Sequence, residues 1–385
     1  MPVCKTTFQM KEVYAVLLYF SIVGLLAYWI LGQEIHNINK RGKSVHLNEA
    51  TSSQASTVQK PLHVIIVTQM RSGSTFAGEL LNQNNQFSYF FEPLYEFRHH
   101  IYGNKTNILS FVQVPLKNVL LCRFKAFTSL QWWANKSRRS KWDCSHSNVV
   151  QMSPLCKFYK KSQIYWPKRS VHNYLDILET VCKNRIFRAV KTIRVADIGD
   201  LQQLVEDTDL NVKIVHLVRD PRAVYHSRMA ISNSTDNTSN LCQRLETNIQ
   251  YWINTPRWLQ NRYMLLRYED LAEKPFQIAN KLYNFLDIPM PLSVKQWILL
   301  NTLRNEGDKW STTRNSSWTA RTWRFDMNIH DVFLVQSQCN TTMTQLGYRL
   351  VSSQDALTNV NFRVVDPLWV HDPEFDMSKN NLSLF

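Results

Sequence analysis

Two clusters of cations and hydroxyls, far apart in the chain, have the composition of anion-holding loops. The first is Arg71-Ser72-Gly73-Ser74-Thr75, running on into Phe76 and Ala77. The second is Arg219-Asp220-Pro221-Arg222-Ala223-Val224-Tyr225-His226-Ser227. A guanidinium offers a planar fork of N–H donors that fits phosphate or sulfate, hydroxyls add further donors, and backbone N–H groups at a helix start point outward at an anion. The first loop is not a Walker A motif, because it lacks the first Gly and the Lys of that pattern. Read singly, each cluster is equally an ordinary strand-to-helix turn or a capped helix with exposed charges. A carboxylate, Glu92, stands just before Pro93 and could take a proton. His99 and His100 compete for that task, since imidazole titrates near 6.5 and a free Glu near 4.3. Position favours Glu92, which closes an apolar run where burial makes a carboxylate more basic, while the two histidines fall in a polar segment. Lys191 and Arg194 add cations at the end of another apolar run.

These groups need strand ends to hold them. His63 to Val67 is a run of mostly β-branched apolar residues that reads as a buried parallel strand, and Phe76, Leu80 and Leu81 give the helix after it a buried stripe. Phe87 to Phe91, Ile186 to Val190, Val212 to Val218 and Tyr263 to Tyr268 read as further strands. Ile198 to Val205, Leu241 to Trp258, Phe276 to Phe285 and Asp331 to Leu346 read as helices. Asp220 suits an N-cap and Pro221 the first helical turn, so Arg219 sits at a strand end and Ser227 about two turns along a helix. The pattern predicts an α/β fold with a central parallel sheet and ligands at the carboxyl ends of the strands. Tyr95 to Lys183 is irregular, and we expect loops and short helices there, forming one wall of a groove.

The chain has 385 residues, a formal net charge of +15 and 44% hydrophobic residues, enough for a large core. Val13 to Leu31 carries no charge and is long enough to cross a hydrocarbon core of about 30 Å. No small-x-small cleavage site closes it, so an uncleaved anchor is expected rather than a signal peptide. The expected organisation is a cytosolic tail at 1–12, a membrane anchor at 13–32, a polar stem at 33–60, one catalytic domain at 61–351 and a C-terminal tail at 352–385. Lys/Arg lie on both sides of the span, and they leave its orientation open. Six cysteines follow it (Cys122, Cys144, Cys156, Cys182, Cys242 and Cys339), an even set compatible with disulfides in an oxidising lumen, with the pairing open. Glycosylation acceptor sequences begin at Asn104, Asn135, Asn233, Asn237, Asn315, Asn340 and Asn381, all beyond the span. Sixteen Lys/Arg against three acidic residues lie between Arg123 and Arg194, interleaved with Trp132, Trp133, Trp142, Tyr159, Tyr165 and Trp166. Beyond a membrane anchor, such a stretch suits a polyanionic glycan better than nucleic acid, and a solvated basic face is the plain alternative. No closely spaced Cys or His set suggests a metal site.

Taken together, the two anion clusters resemble the 5′-phosphosulfate loop and the 3′-phosphate motif of the carbohydrate sulfotransferases. Arg71 to Phe76, Phe91-Glu92-Pro93-Leu94-Tyr95, Leu217 to Ala223, Arg267-Tyr268-Glu269-Asp270-Leu271 and Trp323-Arg324-Phe325 are similar, in order, to the Golgi galactose, N-acetylglucosamine and N-acetylgalactosamine 6-O-sulfotransferases. The keratan sulfate galactose and chondroitin 6-O enzymes are the members it most resembles. The resemblance implies a P-loop-like three-layer sandwich and 3′-phosphoadenosine 5′-phosphosulfate (PAPS) as co-substrate without a metal. It further implies a glycan or proteoglycan acceptor and a single-pass type II protein of the Golgi membrane with its body in the lumen, with a homodimer as the assembly to consider. In it Arg71 to Ala77 and Arg219 to Ser227 bind the donor, Glu92 with Arg71 carries the chemistry, and Lys191 and Arg194 face the acceptor. The alternatives are a P-loop-like glycan kinase, disfavoured by the missing Walker Lys, and a non-catalytic anchored glycan-binding protein.

Overall fold

The computed structural model describes residues 60–97, 108–126, 128–137, 146–151, 170–231, 238–303, 313 and 315–366. The Val13–Leu31 span, the stem before Lys60, His99, His100, Cys144 and Cys156 lie outside the described residues, as do the acceptor sequences at Asn104, Asn233, Asn237 and Asn381. Among the described residues no helix is long and apolar enough to cross a membrane.

In chain order the main elements are β1 (Leu62–Thr68), α1 (Ser74–Asn82), β2 (Phe87–Phe91), α2 (Ser170–Lys183), β3 (Phe187–Thr192), β4 (Asn211–Val218), α3 (Pro221–Met229), α4 (Thr238–Asn254) and β5 (Tyr263–Arg267). There follow α5 (Tyr268–Glu273), α6 (Pro275–Phe285), α7 (Leu292–Thr302), α8 (Ser316–Arg321), α9 (Trp323–Asp326), α10 (Ile329–Gln345) and α11 (Gln354–Thr358). The strands form one sheet in the order β2-β3-β1-β4-β5, and every pairing is parallel. From β1 the chain first builds outward to β2 and β3, then crosses to β4 on the other side. The loops after β1 and β4 therefore flank the point where the winding reverses, the place where open α/β sheets hold ligands.

Side chains alternate across β1, and the alternation makes the three layers. Val64 and Ile66 join Leu80, Leu81, Ile278, Leu282, Val294 and Ile298 from α1, α6 and α7 on one face. Ile65 and Val67 pack with Leu116, Trp133, Tyr174 and Leu178 on the other. The expected short helices in the irregular stretch include Val114–Leu120, Thr128–Ser137 and Asn148–Gln151. The last of these seals the sheet edge, where the Tyr89 N–H donates to Asn148 Oδ1 and the Phe91 N–H to Ser147 Oγ. A third cluster joins Val218 to α4, α10 and the C-terminal segment. Disulfides link Cys122 to Cys182 and Cys242 to Cys339, the second tying α4 to α10.

Three local features differ from the sequence reading. The segment after β5 turns straight into α5 where only a strand end was expected. Helix α7 was not anticipated because its apolar residues are spread around it among Ser293, Lys295 and Gln296: Val294 and Ile298 are buried while Leu292, Leu299 and Leu300 are exposed, so no stripe marks it. The chain also stays folded past Val351, with Leu357 and Val364 in the third cluster and Tyr348 bridged to Val365.

Candidate active site

The two anion loops meet. The Arg71 Nε–H donates to Ser227 Oγ at 2.9 Å, and Arg219 Nη1 donates back to the Arg71 carbonyl at 2.9 Å. Arg228 fastens the loop from below through Met70 O at 3.2 Å and Gln69 Oε1 at 3.3 Å. Arg71 holds this place in left-handed backbone, φ 72°, which costs a non-glycine residue on the order of 1–3 kcal/mol and persists where the surroundings over-determine it. Gly73, φ 82°, occupies the N-cap of α1, and no side chain caps the helix there. Its hydrogen is required twice over, by the backbone angle and because a Cβ would lie 2.2 Å from Tyr268 Cδ2. The same Tyr268 ring carries the Arg219 guanidinium at 4.5 Å from its centroid. Arg219 Nε is buried and finds no acceptor in the protein. A half-buried guanidinium with an unanswered N–H, beside two hydroxyl-bearing loops and an uncapped helix start, has the donor set for a phosphate or sulfate ester.

Glu92 lies at the end of β2 and is buried, 6% exposed. Lys191, its neighbour across the β2–β3 pairing, donates from Nζ to Glu92 Oε1 at 2.7 Å, and the Ile193 N–H donates to Oε2 at 3.3 Å. A residue before proline favours extended backbone, yet Glu92 has φ 50°. Its own N–H continues the ladder to Lys191 O and its carbonyl accepts from the Tyr95 N–H, so tertiary bonding overrides the local preference. Each carboxylate oxygen has a second lone pair beyond the bond described. Close by in the chain and the sheet, His146 packs on the Phe91 ring at 5.5 Å, and Arg194 lies over the Tyr95 ring at 5.5 Å.

The structure gives several of the other expected site residues a buried place or a partner within the protein. Lys191 is not an open acceptor-facing cation: it is 3% exposed, its ammonium sits on Glu92, and the Phe91 ring covers it at 3.9 Å. Asp220 and Arg222 are 1% and 0% exposed and bind each other, Arg222 Nε and Nη2 reaching the two carboxylate oxygens at 3.0 and 2.7 Å. Asp220 does cap α3, accepting from the Arg222 N–H. Pro221, Ala223 and Val224 are buried with them, as are Ser72, Ser74, Phe76 and Ala77 around the first loop. Thr75, Tyr225 and His226 are half-buried, and His226 Nε2 stands 3.9 Å from Asp326. Sequence reasoning gave no role to Tyr268 or Arg228. Tyr268 stood in a quoted motif and Arg228 directly follows Ser227, which were the available signals.

The sequence profile described as "Sulfotransferase domain" matches residues 61–347. The chain belongs to the sulfotransferase family, and it is an enzyme of that class. It is similar to mouse carbohydrate sulfotransferase 1, at 29% identity over 84% of this chain and 88% of that protein. Mouse carbohydrate sulfotransferase 3 is also 29% identical, over 87% of this chain and 79% of its own length, and mouse carbohydrate sulfotransferase 4 is 29% identical over 80% and 87%. Membership in the family sets aside the glycan kinase and the non-catalytic glycan-binding protein.

Proposed function

We propose that the enzyme transfers the sulfuryl group of PAPS to the 6-hydroxyl of a galactose, N-acetylgalactosamine or N-acetylglucosamine residue in a glycan such as keratan or chondroitin sulfate. The observation that carries the donor assignment is the Arg219–Arg71–Ser227 junction at the reversal point of the sheet. In this reading Arg219 and Ser227 take the 3′-phosphate, and Arg71 with the hydroxyls and N–H groups of Ser72 to Thr75 takes the 5′-phosphosulfate. Glu92 accepts the proton of the attacking sugar hydroxyl as that oxygen bonds to sulfur. The bond from sulfur to the bridging oxygen breaks, and adenosine 3′,5′-bisphosphate leaves, its growing charge met by Arg71. Lys191 holds the Glu92 carboxylate in place and balances its charge, and Arg194 beside Tyr95 offers a cation and a ring to an anionic sugar chain. The similarity to carbohydrate sulfotransferases supports a sugar acceptor, and the choice of the 6-position rests on the ordered sequence motifs.

The same reading puts the body in the Golgi lumen behind an anchor at 13–32, a type II arrangement. Disulfides at Cys122–Cys182 and Cys242–Cys339 suit that oxidising compartment. The test is transfer of labelled sulfate from PAPS to desulfated keratan and desulfated chondroitin, with product analysis for 6-O-sulfate. Label on the 6-position of either chain is the expected result, and no transfer to any of these sugars under conditions where PAPS binds contradicts it.

A further inference from the structure

Behind the 3′-phosphate loop lies a buried cage that the proposed chemistry does not use. It begins at Asp220, next to Arg219. The Asp220 N–H donates to Glu269 Oε1 at 3.0 Å, and Tyr348 OH donates to Glu269 Oε2 at 2.8 Å. Arg222, clamped on Asp220, also donates from Nη1 to Gln336 Oε1 at 2.9 Å and to the Arg349 carbonyl at 3.0 Å. Its guanidinium lies over the Trp323 ring at 5.0 Å. The next residue, Arg324, donates from Nε to Leu357 O at 2.8 Å and from Nη2 to Asn359 O at 2.7 Å. Arg267 reaches the Asp366 carbonyl at 2.6 Å, and Arg349 holds the Asp366 carboxylate. Every one of these arginines thus ends on the segment 346–366 or on a residue that holds it, and the sequence reading had assigned 352–366 to a tail.

We infer that residues 353–366 are a strap that sets the position of Arg219, so that the C-terminal segment tunes recognition of the donor's 3′-phosphate from behind. The path is continuous and short: strap carbonyls to Arg324, Trp323 to Arg222, Arg222 to Asp220, and Asp220 through one peptide bond to Arg219. The Arg71 side of the donor site meets the strap by a different route, through the Tyr268 ring at Gly73 and its chain neighbour Arg267, which donates to the Asp366 carbonyl and makes no bond to Arg324 among the described hydrogen bonds. A strap loosened at Arg324 therefore acts first on the 3′-phosphate side and reaches the 5′ side less, through the single bond from Arg219 to the Arg71 carbonyl. Arg324 and the strap are positioning elements that touch no substrate, and the inference rests on the reading that Arg219 holds the 3′-phosphate.

The experiment compares two ligands that differ only in that phosphate, adenosine 3′,5′-bisphosphate and adenosine 5′-monophosphate, titrated against the full chain. Arg324→Lys keeps the charge but cannot reach both strap carbonyls. It should lower the preference for the bisphosphate by roughly 3- to 10-fold, within the range of coupling through packed networks, with the smaller loss on the monophosphate. Should that variant fail to fold, a protease site inserted between Val360, 70% exposed, and Asn361 allows the strap to be cut after folding, with the same outcome expected. Equal losses for both ligands, or none, would overturn the strap's role. Arg219→Ala run alongside separates the two readings. If it abolishes the preference while the strap variants keep it, only the strap inference falls, and if it leaves the preference intact, both fall.

Discussion

Arginines of the same motifs do opposite jobs in two adjoining regions. In the cage, Arg222 and Arg267 are each 0% exposed and fork onto their own aspartates, Asp220 and Asp270, with contacts of 2.7 to 3.0 Å. At the loop, Arg71 and Arg219 are half-buried and bond to a hydroxyl and a carbonyl. A guanidinium held bidentately by a carboxylate has its charge matched at home. Arg219, near the Glu269 carboxylate but not forked onto it, keeps its Nε–H for an arriving anion. Position relative to the strand end decides between them: Arg219 is the first residue after β4, whereas Arg222 lies on the first turn of α3 and points back into the protein. Spacing within one motif therefore separates the ligand-facing cation from the structural one.

Glu92 gives the largest expected effect, because it belongs to neither set of arginines and acts on the bond-making step. Glu92→Gln should lower turnover by roughly 10²–10⁴ while donor affinity stays near wild type. Steady-state rates with parallel bisphosphate titrations read both quantities, and near-normal transfer by this variant would return the base to His99 or His100. Arg222→Met comes next and tests the structural half of the comparison. It strands Asp220 without its buried partner and should cost about 3–5 kcal/mol of stability in denaturant unfolding. A small loss there would mean that Arg222 is no more committed to the protein than Arg219.

The smallest effect is a pH dependence carried by the cage. Burial, then the nearby Asp220 charge, pushes Glu269 up to about 7 from an ordinary 4.5. The folded state thus holds a proton that the unfolded chain releases. The stability from this group is fully present below about 4.5 and is lost as pH rises through about 7. Glu79, also raised to about 7 by burial, works in the same direction. Two buried histidines work the other way: burial lowers His63 to about 4 and His216 to about 3, so their contribution is present above 6.5 and declines as pH falls. Of these four groups, the two carboxyls outweigh the two histidines between pH 6.5 and 8. Glu269→Gln should flatten the thermal-stability slope in that window by at most about 1.4 kcal/mol per pH unit. An unchanged slope would show that Glu269 does not titrate there.

Much of this was legible in the chain. The β-branched runs marked the strands, and the Asp-Pro pair marked the start of α3, because those signals are local. That Glu92 would close β2 was legible for the same reason. Its ion pair with Lys191 was not, since it joins strands whose registry is set by the sheet as a whole. Nor could Arg219 be told from Arg222 by type, because the difference is one of direction on a helix turn. The strap escaped notice because Ser352 to Asp366 is polar and short of apolar periodicity. It is held by arginine-to-carbonyl bonds, which leave no pattern in the sequence of the acceptor segment.

The central claim is that Arg219 and Ser227, where they meet Arg71, are the seat of a nucleotide 3′-phosphate, and calorimetric titration with adenosine 3′,5′-bisphosphate tests it most directly. Wild-type protein should bind it, and Arg219→Ala should bind about 1.5–3 kcal/mol more weakly, the loss expected for a charged hydrogen-bonding partner, with its melting temperature without ligand unchanged. Equal affinity in the two folded proteins would contradict the account.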